Sequence, residues 1–81
     1  MTYEDIAGRT VKAISSTGSY ITPCPVGKYG VVVQPIFCPD ILKPYHYVFV
    51  KFPGMDINSW LWRDLRLVGT YTDKIEQHYE I

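Results

Sequence analysis

Few residues in this chain have side chains that do covalent or metal chemistry, and they are scattered. His46 and His78 are the only histidines, and Cys24 and Cys38 the only cysteines. A Cys–His nucleophile pair needs a thiol beside an imidazole and a third group to orient the ring. Cys38 and His46 can approach across one loop, but no orienting group accompanies them. Zinc would find the right ligand types in Cys24, Cys38, His46 and His78, yet no C-x2-C or H-x3-H pair gives a site its usual spacing. Gly27-Lys28-Tyr29-Gly30 is too short for a phosphate-binding loop and lacks the following Lys-Ser/Thr. The reading is therefore of a non-enzyme without metal or cofactor, in which the cysteines are small, soft apolar fillers and free thiols.

Binding chemistry is better supplied. Tyr20, Tyr29, Tyr45 and Tyr47 fall in or beside loops, and tyrosine offers contact area with a polar tip at low entropic cost. Phe37, Ile41 and Leu42 sit in a loop, either as an exposed apolar tip or folded back over one end of the domain. These seven residues are the expected partner-binding set. A second set, Lys28, Lys43, Lys51, Arg63 and Arg66, interleaves with aromatics in the manner of a nucleic-acid surface, with Tyr29 and Tyr45 placed to stack on bases. Against it stand a pI of about 6.7 and a formal net charge of zero. Trp60 and Trp62, two apart, share one strand face. One is expected to plug the core, and with Leu61 between them the strand is apolar on both faces, so one face is expected to be covered by the tail, a partner or another copy in a homodimer.

Charge is not spread evenly. Residues 8–68 hold seven basic side chains against three acidic ones, whereas the two ends hold Glu4, Asp5, Asp73, Glu76 and Glu80 against Lys74. The ends are either ordinary solvated termini or a tail that folds over a basic face. At 81 residues, 47% apolar and 15% aromatic, the chain makes one small domain whose core leans on large rings. Glu4 and Asp5 stand where a signal peptide needs positive charge and then an apolar run. No run of about eighteen apolar residues is present to span a bilayer. A cytoplasmic location without membrane contact is the expectation.

The elements that position these residues read as short strands. Thr2 to Gly8 forms one helical turn, capped by Thr2 and stopped by Gly8. Arg9 to Ser15 alternates, with Val11 and Ala13 inward. Ser16 to Gly27 is a long loop, in which Pro23 and Pro25 hold Cys24 extended. The paired glycines 27 and 30 call for positive φ or close backbone approach before Val31 to Gln34. Ile36 to Pro44 is a second loop. Tyr45 to Phe52 is the strongest strand, with His46, Val48, Val50 and Phe52 as its core face and His46 at the rim. Pro53 to Asp56 turns into a strand over Ile57 to Trp62. A 3-10 turn at Arg63-Asp64-Leu65 follows, then a last strand over Arg66 to Thr70 and an acidic tail over 71–81.

Arg9-Thr10-Val11-Lys12-Ala13-Ile14, Val26-Gly27-Lys28-Tyr29-Gly30-Val31-Val32-Val33, Val48-Phe49-Val50-Lys51-Phe52 and Trp62-Arg63-Asp64-Leu65-Arg66-Leu67-Val68 together resemble an SH3-like small β-barrel. The layout is similar to that of KOW-type domains and of the small barrel protein of photosystem I. The resemblance covers roughly residues 9–68. It implies an all-β, five-stranded barrel over 9–70, preceded by the turn at 1–8. The Ser16–Gly27 loop lacks the acidic cluster and the A-L-Y-D-Y stretch of SH3 domains that bind proline-rich peptides. The function expected is protein–protein interaction by a small accessory or regulatory protein, of the kind phages encode, using the Ile36–Tyr47 region. Nucleic-acid binding and a structural homodimer are the alternatives.

Overall fold

The computed structural model of the chain describes residues 1–37 and 40–68. Along the chain run α1 (Tyr3–Ile6), β1 (Thr10–Ala13), β2 (Tyr29–Val32), β3 (Tyr47–Lys51), β4 (Asn58–Leu61), a 3-10 turn (Trp62–Asp64) and β5 (Leu65–Leu67). The strands form one antiparallel sheet in the order β4-β3-β2-β1-β5. The closed barrel expected from the sequence is corrected by this order: among the described residues no ladder joins β4 to β5. The three-residue turn Trp62–Asp64 joins these two edge strands end to end. From there β5 runs back along β1, and closure would require the edge strands to lie side by side. The 71–81 tail, the end of the last anticipated strand beyond Val68, and Cys38 lie outside the described residues.

Alternation decides which side chains enter the core. Val11 and Ala13 of β1, Val32 of β2, Val48 and Val50 of β3, Trp60 of β4 and Leu65 of β5 are all buried, together with Phe52. The face predicted for the strongest strand is the buried one, with His46 half-buried at its rim. The Phe52 and Trp60 rings meet edge to face at 5.3 Å, and the Trp60 indole N–H donates to the carbonyl of Thr22 at 3.0 Å. Burial therefore leaves that N–H paired. Gly30 is needed on the same inner face, because a Cβ there would lie 2.7 Å from Val50 Cγ1 and 2.8 Å from the Phe52 ring. Gly27 supplies the other service read from the pair, a turn at φ 92°.

The N-terminal turn belongs to the core. Thr2 and Asp5 form a reciprocal capping box: the Thr2 hydroxyl accepts from the Asp5 N–H at 3.2 Å, and the Asp5 carboxylate accepts from the Thr2 N–H at 2.9 Å. That cap orients α1 so that Tyr3 and Ile6 are fully buried. The Tyr3 hydroxyl accepts from the Phe49 N–H at 2.7 Å and donates to the Val33 carbonyl at 3.0 Å, tying α1 to β2 and β3 where those strands part.

Candidate functional site

Asp64 ends the 3-10 turn with none of its surface exposed. Four donors from the loop after β1 converge on its carboxylate. The Ser15 hydroxyl donates at 2.6 Å, the Thr17 N–H at 2.9 Å and the Thr17 hydroxyl at 2.8 Å, and the Tyr20 hydroxyl donates as well. Arg63 adds a second tier, its Nε donating to Thr17 Oγ1 at 2.8 Å. Burial alone would raise the carboxyl pKa, but the bonds from Ser15, Tyr20 and Thr17 outweigh it and hold it at about 2. The Tyr20 phenol is pushed up to about 12, by burial first and then by its bond to Asp64. Cys24 nearby is buried, and burial followed by the Asp64 charge raises its thiol to about 11. That shift keeps the thiol in its protonated form at neutral pH. The cluster is a structural clamp that folds the loop onto the turn, with its acceptors already occupied.

The same clamp guards an edge. Trp62 N–H donates to His46 in the direction of β3, so alternation turns the N–H groups of Ser59 and Leu61 outward. Both are taken: Leu61 N–H donates to the Tyr20 hydroxyl at 2.9 Å, and Ser59 N–H to Asn58 Oδ1 at 2.8 Å. The Tyr20 ring also meets Tyr47 edge to face at 6.4 Å. Trp60 is wholly inside, Leu61 is buried, and Trp62 packs half-buried against the core. These two outward N–H groups are therefore engaged within the chain.

The residues expected at a partner surface separate into two groups. Tyr29, Phe37, Ile41, Tyr45 and Tyr47 are exposed. Leu42 is not: its N–H donates to the Met1 carbonyl at 2.9 Å and its side chain joins the core. Tyr20 is half-buried and committed to Asp64 and Leu61. All five of the basic set are exposed, with Lys28 and Lys43 in loops, Lys51 on β3, Arg63 in the 3-10 turn and Arg66 on β5. Lys51 on β3 is turned to its own hairpin, its Nζ donating to the carbonyls of Phe52 and Met55. Arg63 is held by Thr17.

Two features went unread in the sequence. One is the Asp64 clamp, whose only signals were a lone acid between Trp62-Arg63 and Leu65-Arg66 and the hydroxyl run Ser15-Ser16-Thr17. The other is Lys12, which looked like an ordinary solvent-facing strand residue. It is paired with Tyr29 on β2 and with Arg66 on β5, and its Nζ lies 5.6 Å from the centre of the Tyr29 ring. Beside it, Thr10, Tyr29, Gly30, Val31, Lys51 and Pro53 line a shallow, mainly apolar hollow of about 300 Å³.

Among the described residues no three metal-ligating side chains lie together, and no helix is long and apolar enough to cross a membrane. No family model matches the chain, and no curated protein or solved structure matches it.

Proposed function

We propose that this chain is a non-catalytic binding module, a small accessory or regulatory protein that engages a larger protein through the loop between β2 and β3. One observation carries the reading. Ile36 and Phe37 are consecutive and 92% and 89% exposed, with Ile41 58% exposed a few residues on. Large apolar side chains so completely in water form a knob suited to a partner's pocket, where a buried aromatic anchor contributes far more than its rim. Exposed Tyr45 and Tyr47 flank the knob at the start of β3. The finer kinship, with SH3-like barrels, is supported by the strand order and by the 3-10 link before the last strand.

The test is affinity capture from a lysate of the source organism, with wild-type and Phe37→Asp proteins as parallel baits. Phe37→Asp is expected to keep its far-UV circular dichroism and lose the captured protein. Capture that survives both Phe37→Asp and Ile36→Asp would sink the reading. Leu42→Asp is the contrast: it buries a charge in the core and is expected to unfold the domain whatever the partner.

A further inference from the structure

Among the described strand residues, the outer face of the sheet carries cations and rings and no acid. The five strands contain Lys12, Lys51 and Arg66 as their only charged residues. Register sets Arg66, Lys12 and Tyr29 in one row across β5, β1 and β2, all facing away from the core. The adjacent row runs Thr10, Val31 and Lys51 across β1, β2 and β3. Lys12 and Arg66 are directly opposed like charges, an arrangement that weakens a sheet and that an anion between them relieves. Tyr29, half exposed, has Lys12 Nζ 5.6 Å from its ring centre and also lines the apolar hollow of about 300 Å³.

We propose that this face is a binding site for single-stranded nucleic acid, with Lys12 and Arg66 on the phosphates and Tyr29 stacked on a base seated in the hollow. Three observations select this occupant. The paired cations without a carboxylate favour a ligand carrying closely spaced negative charge. The apolar hollow beside an exposed ring favours a flat, unpaired base, since stacking on aromatic side chains combined with a basic track is how single strands are held without sequence readout. A duplex fits poorly, because its bases are stacked inward and its major groove is entered by a helix or a two-stranded ribbon, whereas here the strands present a broad face. The surface shares no residue with the apolar knob at Ile36 and Phe37, so it stands or falls independently of the protein-binding reading.

The test is fluorescence anisotropy of a short labelled oligouridylate and its oligothymidylate counterpart, titrated with the full chain at low and at near-physiological salt. Binding is expected at low salt, with log K falling against log salt at a slope of about −1.4 for two phosphate contacts on a single strand. Arg66→Gln and Lys12→Gln should each reduce that slope by about half. Tyr29→Leu should weaken binding about tenfold while leaving the slope unchanged, since it removes stacking and not charge. Matching far-UV spectra would show that all three variants are folded. No complex at low salt overturns the proposal. So does binding that survives Tyr29→Leu unchanged and is displaced equally by inorganic polyphosphate, because that marks a face for any polyanion. Tight binding of duplex over single strand would overturn it as well.

Discussion

Keeping a carboxylate ionised with no exposed surface requires donors on nearly every lone pair, and Asp64 receives four from a single loop. Its pKa of about 2 in the folded chain lies below the ordinary 3.8. A depressed folded pKa stabilises the domain above the unfolded value and withdraws that support as pH falls through the folded one. Stability should therefore drop between about pH 4 and pH 2, by about 2 kcal/mol from this group. Tyr20 acts with the opposite sign. Its raised pKa gives support that is intact below about pH 10 and fades toward pH 12. Asp64→Asn turns an amide N–H group toward donors and should cost about 3 kcal/mol at neutral pH. Urea denaturation at pH 2, 3, 4 and 7 checks both claims: the variant should be less stable at pH 7 and lose most of the acid-side slope. None of this was legible in the sequence. A carboxylate meets hydroxyls forty-odd residues away only after β1 and β5 have paired, and tertiary pairing leaves no local signature.

At the scale of elements, the sequence was most informative where a strand has one wet face. Val11 and Ala13, and then Val48, Val50 and Phe52, sort inward as their alternation demands, and Gly27 and Gly30 stand where a turn and a close approach need them. Loops were harder. Their side chains carry no period, so Tyr20 and Phe37 looked alike although one is clamped and the other is in water. The strand row that aligns Arg66, Lys12 and Tyr29 was likewise hidden, because register is a property of pairs. The clamped loop has a consequence for β4. Tyr20→Phe removes the acceptor for Leu61 N–H and one donor to Asp64 without opening a cavity. The expected loss is about 1–2 kcal/mol for an unpaired edge N–H and a weakened carboxylate. Freed edge groups invite pairing between chains. Light scattering across a concentration series should show the variant associating while the wild type keeps the 9.3 kDa mass of one chain. Equal behaviour of the two proteins would mean that the plug is not what protects the edge.

For the whole molecule, the decisive balance is between a small core and an open sheet. A chain of 81 residues hides only a modest share of its surface, so each fully buried side chain carries much of the margin. Two of the largest such side chains, Tyr3 and Ile6, come from a turn of four residues that precedes the sheet. Its sequence announced a cap and a stop, which describe a turn, but not that the turn would be inserted where β2 and β3 diverge. Past the last β2–β3 pair, Val33 N–H still donates to the Phe49 carbonyl, but the return bond is replaced by the Tyr3 hydroxyl, which accepts from Phe49 N–H and donates to the Val33 carbonyl. Residues 8–68 alone are therefore not expected to behave as a folded domain. Ile6→Ala should cost about 3 kcal/mol through lost burial and an unfilled cavity, and Tyr3→Phe about 1 kcal/mol through an unpaired N–H of Phe49. Deleting residues 1–7 removes both contributions at once, a loss comparable with the total stability of a domain of this size. Thermal melts followed by circular dichroism, with amide NMR dispersion for the truncated chain, decide the matter. A cooperative melt and dispersed amides in the truncation would show that the five strands hold without their plug.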